Sequence, residues 1–251
     1  MCKTMLVVVL YDKTYKDSLT LNCLMNKEYT ETDLLIINVG PKSLEFDKEF
    51  IHTLGFFVNN ITINEFLDDR PLSSVCNSVI NEHRDYERFV FFDDESILKK
   101  NHLKKLDLHY TDDVDLQIPN IRSRADGKVY YPIINEAVRR INDGVKITPG
   151  NMLLTIGSGL VIYRSLVDKF TAVGMEVFDG RFTLGGVDYS FFIRLEFLKM
   201  EKLDVTIQIV STVEHSLYRT DFPSRKWRVM ERLRESILSM KTYFTHNQFI
   251  M

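Results

Sequence analysis

The sequence contains few cysteines, no long apolar segment and little net charge, and each shortage excludes a class of protein. Its 251 residues include three cysteines, which have no CxxC spacing. Neither a disulfide framework nor a structural zinc site is therefore expected. No apolar stretch approaches the length of a membrane-spanning helix. A net charge of −3 is too small to indicate a nucleic-acid-binding protein. We expect a cytoplasmic globular protein that binds no nucleic acid.

What the sequence does contain is a series of short apolar runs rich in Val, Ile and Phe. Such near-continuous runs are typical of strands covered on both faces, as in a largely parallel sheet. They occupy residues 5–11, 33–39, 55–61, 88–92, 114–121 and 205–210. Segments with helical spacing lie between them, at 16–26 and 73–83. The alternation predicts an α/β protein with a Rossmann-like, mainly parallel sheet flanked by helices.

The alternation of strands and helices ends at about residue 100. After it, the sequence indicates a hairpin around Asp126-Gly127 and then two turn-and-helix units. No linker, repeat or low-complexity segment interrupts the chain before residue 217. We expect one domain over residues 1–217, with a nucleotide-binding half at about 1–100 and an acceptor half at about 101–217. A basic helical tail is expected over 218–251.

One apolar run ends abruptly in three acidic residues, Asp93, Asp94 and Glu95, within the stretch ERFVFFDDESIL. Burying such a cluster uncompensated is expensive, so a metal ion, a Lys or Arg side chain, or water should accompany it. Ligands of open α/β sheets collect at the carboxyl ends of strands. There, Asp93 and Glu95 could hold a divalent cation and a sugar nucleotide. Alternatively, the acids begin a helix over ILKKNHLKKL, where they would favour the helix dipole.

Two more polar residues stand beside turns or apolar runs. Asp188 comes after the Gly185-Gly186 turn and opens a helical segment, and His215 follows the run VTIQIV. Taken singly, the aspartate is a helix cap and the histidine a structural or surface residue. Together with the acid cluster, they are the groups that a metal–diphosphate site with a separate general base would require.

Four segments, in the same order, resemble inverting glycosyltransferases of the GT-A fold. They are MLVVVLYDK, SSVCNSVINEHRDYERFVFFDDES, the segment from GSGLVIY to VDYSFFIRL, and VEHSL. The resemblance is to family 2, and within it to the bacterial rhamnosyl- and galactofuranosyltransferase-like enzymes of polysaccharide assembly. It spans most of residues 5–217 and implies a GT-A fold.

The resemblance implies roles for individual residues. Asp188 would be the catalytic base. A Mn or Mg ion would be held by Asp93, Glu95 and His215. The nucleotide sugar would be bound by Tyr11, Asp12, Asn38, Asn77, Asp93 and Asp94. The residues on the acceptor side would be Arg181, Gly185 and Gly186.

The resemblance also implies a metal-dependent reaction. A sugar would pass, with inversion, from a nucleotide diphosphate sugar to a glycan or polyprenyl-linked glycan acceptor. The product would belong to a surface polysaccharide such as O-antigen or capsule. A UDP-sugar is the first choice of donor, and dTDP-rhamnose is the alternative.

Three departures from the family pattern leave another interpretation open. Val187 stands where many members have an acidic residue, Asn38 where they usually have Asp, and Glu95 in place of Asp. A catalytically impaired GT-A-like protein that binds sugar nucleotides, or acts as a scaffold, would show such departures. A sugar-1-phosphate nucleotidyltransferase is disfavoured, because its phosphate loop is glycine-rich and basic whereas LYDKTYKDS contains no glycine.

The tail is the last feature of the sequence with two interpretations. Residues 221–244 predict a helix with one apolar face, formed by Trp227, Met230, Leu233, Ile237 and Met240. From residue 217 onwards, seven Lys and Arg stand against three Asp and Glu. The helix either packs on the domain with a solvated basic face, or touches anionic lipid at the inner face of the plasma membrane.

Overall fold

A single large β-sheet forms the centre of the molecule in the computed structural model, which describes residues 2–26, 29–147, 152–183, 185–217, 233–234 and 236–244. The strands are β1 (Thr4–Leu10), β2 (Asp33–Asn38), β3 (Ile61–Glu65), β4 (Arg88–Asp93), β5 (Leu116–Ser123), β6 (Val129–Tyr131), β7 (Ile133–Ile134), β8 (Ala137–Val138), β9 (Lys146–Ile147), β10 (Leu153–Leu154), β11 (Leu160–Tyr163) and β12 (Ile207–His215). The helices are α1 (Leu19–Leu24), α2 (Lys48–Leu54), α3 (Leu72–Glu82), α4 (His102–His109), α5 (Arg164–Ala172) and α6 (Val187–Met200).

The order of strands in the large sheet is β3-β2-β1-β4-β11-β5-β12-β9, with β6 paired to β5. β3, β2, β1 and β4 pair in parallel, as do β5 and β12. Because β11 is antiparallel to both β4 and β5, all six long strands run in one direction. The predicted α/β class with a mainly parallel sheet is confirmed. A small antiparallel sheet of β10, β7 and β8 lies beside it.

The strands are apolar on both faces because two hydrophobic cores enclose the sheet. Alternate residues of β1 enter different cores, Met5 and Val7 on one side, Leu6 and Val8 on the other. The first core includes side chains from α3, α5 and α6, and the second includes side chains from α1, α2 and α4. The near-continuous apolar runs of the sequence are the consequence of this double coverage.

Two local expectations were wrong. The apolar run 55–61 is not a strand: α2 ends at Leu54, a turn follows, and the strand begins at Ile61. Phe56 in that turn is 68% exposed, so its apolar character did not signal burial. The acidic residues Asp93–Glu95 do not begin a helix either. They form the end of β4 and a turn, and α4 begins only at His102.

The C-terminal segment packs on residues 179–197 through one aromatic side chain. Residues 233–234 and 236–239 are helical, and a π-helical turn covers Met240–Phe244. The buried Tyr243 ring contacts Phe182 and Phe197, and its hydroxyl donates to the Asp179 carboxylate.

The expected apolar face of this tail lies only partly within the structure. Leu233, Ile237 and Met240 are all exposed. Trp227 and Met230, the other members of that face, lie outside the described residues. In the described part of the chain, no helix is both long and apolar enough to span a lipid bilayer.

A buried ion pair at the amino-terminal end of the sheet is a strong local constraint. The fully buried Arg88 donates to the Thr4 hydroxyl at 2.9 Å and to the Asp107 carboxylate at 2.6 Å. Removing one partner of a buried pair leaves the other charge uncompensated.

We predict that Asp107→Ala lowers the free energy of unfolding by about 2 to 3 kcal/mol, because Arg88 stays buried without its carboxylate. Urea unfolding measures the loss. Asp85→Ala is the matched control: its pair with Lys3 is solvent-exposed, so the loss should be much smaller than that of Asp107→Ala. Equal losses in the two variants would contradict the prediction.

Candidate active site

The carboxyl ends of the parallel strands gather the predicted site residues at one edge of the sheet. β1 is followed by Tyr11, β2 ends at Asn38, β4 ends at Asp93, and β12 ends at His215. Parallel strands with the same direction place these ends together, which is where ligands of α/β sheets bind.

Asp93 and His215 meet there through a network of hydroxyl groups. Asp93 Oδ1 accepts hydrogen bonds from the Ser96 hydroxyl at 3.1 Å and the Ser158 hydroxyl at 3.2 Å. Asp93 Oδ2 lies 3.2 Å from His215 Nε2, and His215 Nδ1 lies 3.1 Å from Ser96 Oγ. Both ring nitrogens of the histidine therefore have a partner, so its orientation is fixed.

This network has the residue types of a serine hydrolase, but it cannot act as one. The Ser96 side chain has no exposed surface, and its oxygen lies among Asp93, Ser158 and His215. A nucleophile must reach the substrate. Ser96 is a structural link between the end of β4 and the end of β12.

A lysine is the positive partner of the acid cluster. Lys13 Nζ lies 2.8 Å from both Asp94 Oδ1 and Glu95 Oε1. Asp94 also accepts the backbone N–H of Tyr11 at 3.1 Å. Burial raises the pKa of Asp94, and Lys13 opposes that rise. Asp94 and Lys13 thus join β4 to the loop after β1.

The predicted base, Asp188, is held by the loop that also contacts Asp93. It lies in the first turn of α6, after Gly186 in the left-handed conformation (φ 70°). The Gly157 N–H donates to the Asp188 carboxylate, and the next residue, Ser158, bonds to Asp93. A Cβ on Gly157 would lie 2.4 Å from Asp188 Oδ1, so only glycine leaves room for the carboxylate.

The environment of Asp188 favours its neutral form. Burial among protein atoms raises its pKa to about 6, and the negative charge of Asp93 acts in the same direction. The hydrogen bond from Gly157 and the charge of His215 act against the rise. A carboxyl group with a pKa near 6 is ionised at neutral pH and is more basic than an ordinary aspartate, which suits a general base.

The loops that follow β1 and β2 contain or adjoin three predicted residues. Tyr11 and Asp12 lie in the loop after β1, and Asn38 is the last residue of β2. Tyr11 is 37% exposed. Asp12 has a positive φ of 54° and donates its N–H to the Gly40 carbonyl at 2.8 Å. Asn38 is buried, accepts the Gly40 N–H at 3.0 Å and donates to Glu65 at 2.8 Å. Asn38 therefore shapes the loop, and Tyr11 has surface available to a ligand.

The remaining predicted residues lie on α3 or in the segment that leads into α6. Asn77 is buried, and its amide donates to Glu176 at 3.0 Å and to the Phe178 carbonyl at 2.8 Å. Arg181 is exposed and pairs with Asp179 through two nitrogens. The Gly185-Gly186 turn leads into α6 and Asp188.

Four residues of the site did not emerge from the sequence: Lys13, Ser96, Gly157 and Ser158. A basic residue directly after β1 was a signal for the lysine, since the carboxyl ends of β1 and β4 share one edge. The two serines carried no comparable signal, because isolated hydroxyl residues are common near turns.

The donor set fits a divalent cation in its chemistry. Lys13 is one positive charge against the carboxylates of Asp93, Asp94 and Glu95. Carboxylate oxygens are the ligands that Mn and Mg prefer. Among the described residues, however, no three His, Cys, Asp or Glu side chains form a preformed cation site, and Glu95 is engaged by Lys13.

Comparison with solved structures supports this description of the fold. The chain is similar to GalNAc-T7, crystallised with UDP, GalNAc and Mn2+ (TM-score 0.57, 11% identity, covering 86% of this chain and 43% of that one). It is also similar to S. aureus TarS (0.56, 11%, 86% and 37%). A third similar structure is the mannosyltransferase PcManGT from Pyrobaculum calidifontis, in complex with GDP-Man and Mn2+ (0.55, 10%, 94% and 62%).

The chain has a GT-A fold. At 9 to 11% identity, the likeness shows the fold alone. The match spans less than two thirds of each of the three proteins named. No protein-family model and no curated protein sequence matches this chain.

The raised pKa of Asp188 predicts that the ionised carboxylate lowers the free energy of unfolding at neutral pH. Its folded-state pKa lies above the unfolded value, so this group favours folding below pH about 4, and that contribution is lost as the pH rises through about 6. Asp188→Asn should therefore stabilise the protein relative to the wild type more at pH 7.5 than at pH 4.5, as urea unfolding at the two pH values would measure.

Asp179→Asn is the control, because its effect on the free energy of unfolding at pH 7.5 should have the opposite sign. Although burial raises the pKa of Asp179, hydrogen bonds from Arg181 and Tyr243 lower it below its ordinary value. This variant should lose stability at pH 7.5. An Asp188→Asn effect that is the same at both pH values would contradict the assignment of a raised pKa.

Proposed function

We propose that this chain is an inverting glycosyltransferase that uses a nucleotide diphosphate sugar. One observation carries the proposal: two neighbouring loop residues hold two carboxylates at the carboxyl edge of a GT-A sheet, Ser158 holding Asp93 and Gly157 holding Asp188, whose pKa is raised. A proton acceptor is thereby fixed next to the place where the fold binds ligands. The donor would occupy the half up to about residue 100, and the acceptor would occupy residues 101–217.

The proposed reaction assigns the donor to the strand ends and the acceptor hydroxyl to Asp188. The donor would lie at the ends of β1, β2 and β4, with its diphosphate near Asp93 and its base near Tyr11. Asp188 would take the proton from an acceptor hydroxyl as that oxygen attacks the anomeric carbon. Attack by that oxygen on the face of the sugar opposite the leaving diphosphate would invert the configuration.

A divalent cation is part of the proposal. Asp93, Glu95 and His215 would hold Mn or Mg, with Glu95 first released from Lys13. The ion would stabilise the negative charge of the departing nucleoside diphosphate. The structures of GalNAc-T7 and PcManGT with Mn2+ support this choice.

The identity of the donor and acceptor is proposed from the resemblance of the motifs. A UDP-sugar is the first choice, supported by the likeness to TarS, which was crystallised with UDP-GlcNAc, and dTDP-rhamnose is the alternative. The acceptor would be a glycan or polyprenyl-linked glycan of a bacterial surface polysaccharide, and the enzyme would belong to family 2. The rival proposal, an impaired sugar-nucleotide-binding protein, is favoured by Val187 next to the base.

We predict that Asp188→Asn lowers transfer at least about a hundredfold, because an amide cannot accept the proton, while nucleoside diphosphate affinity changes little. Radiolabelled sugar transfer and calorimetry with UDP, GDP and dTDP measure the two quantities. Asp168→Asn, on the exposed side of α5, is the matched control and should leave both unchanged. Nucleotide binding without transfer by the wild type would favour the impaired-protein alternative.

We also propose that the C-terminal tail contacts an anionic membrane surface. Residues 236–244 lie against the domain through Tyr243, yet Ile237 and Met240, on the expected apolar face, are 43% and 53% exposed. The excess of Lys and Arg over Asp and Glu, seven against three, is spread over the whole tail from residue 217 onwards. Exposed apolar side chains beside basic residues suit anionic lipid headgroups. This would place the enzyme at the inner face of the plasma membrane.

The double variant Ile237→Ser, Met240→Ser should reduce binding to phosphatidylglycerol vesicles several-fold, since it removes exposed apolar groups and leaves the buried Tyr243 in place. Co-sedimentation with vesicles measures binding. Leu108→Ser, at an apolar position on α4 that is more exposed than either, is the control and should bind as the wild type does. Unchanged sedimentation of the double variant would leave the tail as a packing element only.

A further inference from the structure

Lys13 occupies the place where a cation would otherwise bind the acid cluster. Its ammonium lies 2.8 Å from Asp94 and 2.8 Å from Glu95. Its side chain and that of Glu95 are only about a quarter exposed, at 26% and 27%. The contact is therefore a built part of the site and not a loose pair on the surface.

A divalent cation would have to compete with this ammonium in the free protein. To reach Glu95, the ion must displace Lys13 from one of its two carboxylates. The carboxylate left over is that of Asp93, which is already engaged by Ser96, Ser158 and His215. One carboxylate is a poor site for a hard cation, which takes about six oxygen ligands.

A nucleotide diphosphate changes this competition in two ways. Its phosphate oxygens add ligands that the protein lacks, because Mg and similar ions are held by one or two carboxylates together with substrate phosphates. Its negative charge also offers Lys13 a new partner in place of Glu95. Both effects favour the ion only when the nucleotide is present.

We propose that Lys13 is a built-in competitor for the divalent cation, so that the ion binds together with the donor diphosphate and not to the free protein. This inference rests on the proposed function for the identity of the donor. The role of Lys13 itself concerns the free protein, and it can be measured without any transfer reaction.

Titration with Mn2+ alone, followed by the electron paramagnetic resonance signal of the free ion, tests the competition. Lys13→Met and Lys13→Gln should each bind Mn2+ at least tenfold more tightly than the wild type, since Glu95 and Asp94 lose their ammonium. Lys13→Gln keeps a hydrogen-bond donor for the buried Asp94, so the test survives if Lys13→Met fails to fold. Lys16→Met is the matched control: this exposed lysine pairs with Asp47, and Mn2+ affinity should not change.

The same titration with UDP, GDP or dTDP separates the inference from the proposed function. For the nucleotide that binds, the wild type should hold Mn2+ at least tenfold more tightly than it does without nucleotide. Wild-type affinity for Mn2+ alone that equals that of the Lys13 variants would overturn the competition. If none of the nucleotides binds any of these proteins, the proposed function falls, and joint binding of ion and donor falls with it.

Discussion

The structure depends on the control of negative charge at one edge of the sheet. Asp93 ends β4, Asp94 and Glu95 follow it directly, and Asp188 lies close enough for the charge of Asp93 to act on its pKa. Carboxylates crowded in this way repel one another, so each needs a partner. Lys13 serves Asp94 and Glu95, hydroxyls and His215 serve Asp93, and Gly157 serves Asp188. The loops of the site are arranged around these partners.

Residues 155–158 link the two sheets to the carboxylates of the site. They follow β10 of the small sheet and precede β11, which lies between β4 and β5 in the large sheet. From there, Ser158 bonds to the end of β4, while Gly157 bonds to the start of α6. The spacing between Asp93 and Asp188 is thus set by two neighbouring residues, which lie between two strands. A short, strand-anchored connection keeps such a distance more constant than a long loop could.

The sequence was sufficient to predict the buried strands, which appear as apolar runs, and the residues that directly follow those strands. Double coverage of β1, β2, β4 and β5 appears as apolar runs, and the acids after β4 had to lie at a ligand-binding edge. The sequence did not identify Lys13 as the partner of Asp94, because 81 residues separate the two and their contact depends on the order of the strands. The antiparallel direction of β11 was equally hidden, since the run LVIY is apolar whichever way the strand points.

The C-terminal tail contacts the elements that position Asp188. Tyr243 donates its hydroxyl to Asp179, and Asp179 also holds Arg181. These residues belong to the segment that leads through Gly185 and Gly186 into α6, where Asp188 begins the helix. The Tyr243 ring also packs on Phe197 of the same helix. Tyr243 therefore fastens the tail to two elements at once, the segment that precedes α6 and α6 itself, which carries Asp188.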